Sequence, residues 1–163
     1  MIDINYIDVP TGEVGFTRTE GQLVSSAIGS CIAVVMYCRP CRAGGIAHIM
    51  LPGEAPENVP ENEKLRYARN GIEYMINRLK SIGATENILQ VCIIGGGNVL
   101  ERPDDTICES NIVSVKTILE EYNLSINAQA LGGFIRRRVR LDVETGLLAY
   151  GEGDGGDIIV NCR

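Results

Sequence analysis

The chain has 163 residues, 45% hydrophobic and 22% charged, values that exclude a disordered, fibrous or coiled-coil chain. Its net charge of −6 leaves no broad cationic face for a phosphate backbone, so no nucleic acid is expected as a partner. The longest apolar run, Ile32 to Cys38, is far short of the roughly 18 residues of a membrane span, and the opening lacks an export signal's basic start. No membrane insertion is expected, and the expected location is the cytoplasm.

No repeat, linker or low-complexity block divides the chain, so residues 1–163 read as one domain. Residues 2–9 and 13–18 read as short strands around the turn Pro10-Thr11-Gly12. Residues 31–38 and 44–51 are apolar runs joined by a short turn with Pro40, the pattern of a hairpin. After the Pro-interrupted loop 53–60, Leu65, Ala68, Ile72, Met75, Ile76, Leu79 and Ile82 recur at helical spacing, and Gly83 supplies the stop. A strand over 88–94 runs into Gly95-Gly96-Gly97. Without G-x-G-x-x-G or GK[ST], that triplet reads as a tight crossover rather than a phosphate loop. A second helix is predicted from about Glu109 to Tyr122, then strands at 125–130, 134–143 and 147–150. The acidic, Gly-rich segment 151–157 reads as flexible and solvated, before a last apolar run. Seven or eight strands with two helices make an α+β fold with a mixed or antiparallel sheet.

Six cysteines (Cys31, Cys38, Cys41, Cys92, Cys108, Cys162) and one histidine, His48, carry the candidate chemistry. In the cytoplasm the thiols are expected to be reduced. A hairpin centred near residues 40–41 makes opposed residues sum to about 81, which sets Cys31 and His48 as near-diagonal neighbours. A cysteine and a histidine in reach of one another form an ion pair that lowers the thiol pKa, so Cys31 is expected to alkylate well below pH 8.5. Gly29 and Ser30 precede Cys31, where the backbone can turn sharply and present N–H groups to an oxyanion. Ser25 could orient the imidazole. On spacing alone, a core histidine and a small buried cysteine explain the pattern better. Cys38-x-x-Cys41 lacks the second clustered pair of a structural zinc site and reads as two turn-flanking cysteines. Arg136, Arg138 and Arg140 form the basic cluster, either a solvated sheet face or a docking surface for an acidic protein.

The wording of two segments changes the balance at Cys31. SSAIGSCIAVVMY followed by GGIAHIMLP closely resembles the signature of the CheD family, the chemoreceptor glutamine deamidases of chemotaxis. That signature reads T-x-G-x-GSC-[VI]-AV…Y and then GG-x-AH-x-MLP. The segments IIGGGNVL, IVSVKTILEEYNLSI and LGGFIRRRVRLDVETG extend the resemblance over about residues 20–147. It implies a single-domain α/β/β layered sandwich, similar to the deamidase domain of cytotoxic necrotizing factor toxins. It implies Cys31 as nucleophile, His48 as general base and Ser25 in place of an orienting threonine. Backbone N–H groups near Gly29 and Ser30 would hold the oxyanion, and no metal or cofactor is expected. The implied partners are methyl-accepting chemotaxis receptors, as protein substrates, and a CheC-type phosphatase. Three positions depart from the family pattern: Ser25, Ala27 where glycine is usual, and Ile107–Asn111 in place of G-E-R-N. Two rivals stand beside the deamidase: a regulatory binding module for CheC or the receptor, and a cysteine amidase for small amides.

Overall fold

The computed structural model describes residues 6–160; positions 2–5 of the first expected strand, and Cys162, lie outside the described residues. In chain order the elements are β1 (Tyr6–Asp8), β2 (Val14–Arg18), β3 (Gln22–Ile28), β4 (Ile32–Cys38), β5 (Ala43–Ile49), α1 (Ala68–Lys80), β6 (Leu89–Gly95), α2 (Ile107–Glu121), β7 (Ala128–Leu131), β8 (Arg137–Asp142), β9 (Leu147–Glu152) and β10 (Ile158–Val160). No helix among the described residues is long and apolar enough to cross a membrane.

Apolar runs without alternation belong where both faces of a sheet are covered. β4 and β5 are such runs, buried along their whole length, and they sit inside the sheet β2-β5-β4-β6-β7. One face of that sheet (Ile32, Val34, Met36) packs on Ile72, Met75 and Leu79 of α1 and on Val115 and Leu119 of α2. The other face (Ala33, Val35, Tyr37) packs on Leu23, Ile28, Val139, Leu141 and Leu148 of a second sheet, β1-β3-β8-β9-β10. Helices, central sheet and outer sheet thus form three layers in an α+β chain. Each large side chain buried between them is worth about 1.5–3 kcal/mol.

The β4–β5 hairpin takes the register expected from its turn, with Ile32 opposite Ile49 and Ala33 opposite His48. Both predicted helices form. The first begins at Ala68 rather than Leu65, because Glu61–Arg66 is a separate 3-10 segment. β3, however, is absent from the sequence reading, and there are ten described strands rather than seven or eight.

Between Ser25 and Ile28 the pairing of β3 with β8 slips: Ser25 faces Val139 and Ile28 faces Arg137, so three steps oppose two. This bulge turns both Ser25 and Ile28 inward while Ser26 and Ala27 stay exposed. It needs φ = +57° at Ala27, which accounts for glycine being usual there. The left-handed region costs alanine about 1–2 kcal/mol, partly offset by glycine's larger unfolded-state entropy. Ala27→Gly is therefore expected to raise Tm by roughly 1–4 °C in calorimetry. A lower Tm would contradict this account of the bulge.

Two expectations are corrected here. Cys38 and Cys41 form a disulfide across the β4–β5 turn, not a pair of free thiols; their Cα atoms, 5.2 Å apart, lie within the span a disulfide bridges. Segment 151–157 is not simply solvated. Its first two residues end β9, Arg138 donates to the carbonyls of Gly153 and Gly155, and Asp157 pairs with Arg138 and Arg140 at 3.5 and 2.8 Å. Glycines leave those carbonyls open to the guanidinium. Arg138 and Arg140 share one sheet face as expected and find their counter-charge within the chain. Arg136 precedes β8 and goes elsewhere.

Candidate active site

Cys31 is the last residue of the loop that carries the chain from β3, in the outer sheet, to β4, in the central one. Strand alternation puts its side chain on the face of Ala33, two residues on, and His48 lies opposite Ala33. Cys31 is therefore His48's diagonal neighbour, on the face between the two sheets. Ser25 reaches the same layer from the outer sheet, turned inward by the bulge. The three side chains come from β3, β5 and the loop that joins the two sheets.

Ser25 Oγ lies 2.8 Å from His48 Nδ1 and 2.7 Å from the Val9 carbonyl oxygen. A carbonyl only accepts, so the single hydroxyl proton goes to Val9 and the Ser25 oxygen accepts from Nδ1–H. That fixes the tautomer and leaves a lone pair on Nε2. His48 is fully buried and Nε2 has no partner among the described residues. Leaving such an atom unpaired costs about 1–3 kcal/mol, which marks it as a place for something else to bind. The structure forms no hydrogen bond between Cys31 and His48.

The electrostatics correct the expected ion pair. Burial pushes the Cys31 thiol up to about 11, and nearby Cys108 adds to the effect. Burial also lowers His48 from its ordinary 6.5, against opposing contributions from Val9 and Asp8. Desolvation disfavours both charged forms, so the resting pair is neutral thiol and neutral imidazole. Alkylation of Cys31 in the free protein should then rise only toward pH 11, and an inflection below pH 8.5 would contradict this. Imidazole protonation sets the acid limb and thiol ionisation the alkaline one. A turnover that needs both groups neutral should accordingly be flat from about pH 7 to 9 and fall in acid only below pH 6.5.

The loop before Cys31 is held by its carbonyls. Gly29 O accepts from Gly97 N–H at 2.9 Å, Cys31 O from Gly96 N–H at 2.8 Å, and Ser30 O from Asn111 Nδ2 at 3.0 Å. The N–H groups of Ser30 and Cys31 donate to none of the described residues. Gly95-Gly96-Gly97, expected to be a simple crossover, is the strap for this loop. Gly95 has φ = +131°, and a Cβ there would collide with the Cys31 carbonyl. The strand running straight into three glycines was the available signal, and Asn111 had only its place in the departing segment.

Half-buried Cys31 opens onto a hollow of about 290 Å³, lined also by Gly29, Ser30, Gly97, Leu100, Asp105 and Arg136. Leu100, in the lining, is 68% exposed, and Phe134 and Ile135, just before the lining residue Arg136 in sequence, are 63% and 47% exposed. A hydrogen bond from Asn98 N–H to Gly133 O joins the two loop segments that carry them. Clustered apolar exposure of this kind marks a protein-contact surface. No group of three or more His, Cys, Asp or Glu among the described residues is arranged to hold a metal.

Residues 50–151 match the family model described as CheD chemotactic sensory transduction. The chain is 40% identical over 136 residues to the probable chemoreceptor glutamine deamidase CheD of Chlorobium luteolum, covering 83% of this chain and 67% of the relative. It is 30% identical over 146 residues to the chemoreceptor glutamine deamidase CheD of Thermotoga maritima, covering 90% and 91%. The probable chemoreceptor glutamine deamidase CheD 1 of Methanosarcina acetivorans matches to the same extent. With a family model matching residues 50–151 and relatives 30–40% identical covered over 67–91% of their lengths, the chain belongs to the CheD family.

Proposed function

We propose that this protein is a chemoreceptor glutamine deamidase that uses Cys31 and His48 in a thioester mechanism, the 163 residues acting as one deamidase domain. The observation that carries the reading is the buried, unpartnered Nε2 of His48, held in a fixed tautomer by Ser25 and diagonal to Cys31. Family membership supports the substrate class, and the exposed apolar side chains of Leu100, which lines the hollow, and of Phe134 and Ile135, close in sequence to its Arg136, support a protein rather than a small amide. The likeness to the cytotoxic necrotizing factor deamidase domain belongs to the same reading, as does action in the cytoplasm.

A substrate glutamine enters the hollow with its carboxamide over Cys31. Because the resting thiol is neutral, its proton passes to Nε2 as Sγ attacks Cδ, and the S–C bond forms. The oxyanion takes hydrogen bonds from the free N–H groups of Ser30 and Cys31. His48 returns the proton to the amide nitrogen, the C–N bond breaks, and ammonia leaves a thioester. Water then gives a proton to Nε2 and attacks the same carbon. The S–C bond breaks, the proton returns to sulfur, and glutamate is released.

The test is mass spectrometry of a recombinant chemoreceptor cytoplasmic fragment incubated with the protein, with free glutamine in a parallel reaction. Site-specific Gln-to-Glu conversion in the fragment supports the reading; hydrolysis of free glutamine alone would favour a small-molecule amidase. A second reading draws on the raised thiol and the missing Cys31–His48 hydrogen bond: a regulatory binding module for a CheC-type phosphatase or the receptor, with no turnover. Binding of the fragment without conversion would favour it.

A further inference from the structure

Asn111, in the first part of α2, is fully buried. Its amide nitrogen makes two hydrogen bonds of 3.0 Å, one to the carbonyl of Ser30 and one to the carbonyl of Met50. Ser30 immediately precedes Cys31, and Met50 follows His48 by two residues. One amide therefore ties the nucleophile's loop and the end of the base's strand to a single helix. Its oxygen, Oδ1, has no partner, and with His48 Nε2 it is one of two such buried side-chain atoms among the described residues. A leucine would fill this space but leave the Ser30 and Met50 carbonyls without their donor, so the amide both stabilises the junction and sets the direction of those two carbonyls.

We infer that Asn111 is a positioning residue that sets the Ser30–Cys31 peptide as an oxyanion donor. Every described peptide bond is trans, so C=O and N–H of one peptide point in opposite directions. Holding the Ser30 carbonyl toward α2 turns the Cys31 N–H away from α2, where it meets no acceptor. The Gly96 and Gly97 strap fixes the carbonyls on either side, but only Asn111 holds the peptide whose N–H belongs to the nucleophile itself. The second bond, to Met50, keeps the same reference point for the base. Asn111 touches neither substrate nor reacting atoms; it acts through the peptide.

This inference rests on the deamidase reading, and its test separates the two. Steady-state conversion of a receptor fragment is measured for the parent and for Asn111→Leu, alongside Tm and the pH profile. Asn111→Leu is expected to lose about 100-fold in kcat, the scale of one misplaced oxyanion donor. KM and the acid and alkaline limbs should stay close to those of the parent, while Tm falls by several degrees because the Ser30 and Met50 carbonyls lose their donor. If Asn111→Leu does not fold, Asn111→Ala carries the same expectation. A folded variant that keeps the parent's kcat, or that loses only in KM, would overturn the inference and leave the deamidase reading standing. Absence of conversion by the parent itself would overturn both.

Discussion

Cys31→Ala is expected to abolish Gln-to-Glu conversion, with a fall of roughly 10⁶-fold in kcat, the scale seen when a covalent nucleophile is removed from its set of partners. No other cysteine among the described residues is placed to take over. Among the described cysteines, Cys92 is buried, Cys38 and Cys41 are disulfide-bonded, and Cys108 is buried with its thiol 3.5 Å from Asp105. Burial and then Asp105 also raise the Cys108 thiol above its ordinary value. The substitution removes one sulfur from a half-buried position and should shift stability by no more than about 1 kcal/mol. The measurement is conversion of a receptor fragment by mass spectrometry, with Tm as the folding control. A folded Cys31→Ala protein with more than a hundredth of the parent's rate would remove Cys31 from the mechanism.

The second large effect is at His48, and the choice of substitution matters because the side chain is fully buried. In His48→Asn the amide nitrogen takes the place of Nδ1 and keeps the bond to Ser25, while the Nε2 position is emptied. The fold should persist and kcat should fall by roughly 10³–10⁴-fold, near the upper range for general acid–base help. Since the resting thiol is not ionised by His48, the same variant should leave the pH dependence of Cys31 alkylation unchanged. That combination distinguishes a proton carrier from a group that merely holds a thiolate. A rate within tenfold of the parent's would contradict the assignment.

The hairpin of β4 and β5 was legible in the sequence because two long apolar runs joined by a short turn admit one register, and that register places His48 beside Cys31. The helices were legible from their 3.6-residue spacing. β3 was not: Gln22–Ile28 carries two serines side by side, and its inward face is set by a bulge that exists only through pairing with β8. Ser25 was legible as a hydroxyl shortly before Cys31, and the family motif added to that, but its bond to His48 crosses between sheets, beyond the reach of local pattern. The thiol's pKa went the wrong way because residue types suggested an ion pair while the folded environment supplies desolvation. Asp157 as the partner of Arg138 and Arg140, and Asn111 as the anchor of Ser30, follow from contacts between residues far apart in the chain. The Cys38–Cys41 bond was set aside on an argument from compartment, which the closeness of the two residues in the turn overrides.

The central claim is that a glutamine side chain becomes an acyl group on Cys31. Hydroxylamine tests this directly, because it intercepts a thioester before water does. A receptor fragment incubated with the protein and hydroxylamine should show γ-glutamyl hydroxamate at the glutamines that otherwise become glutamate, and neither product with Cys31→Ala. Glutamate formed at an undiminished rate without hydroxamate, or conversion that survives Cys31→Ala, would contradict the account.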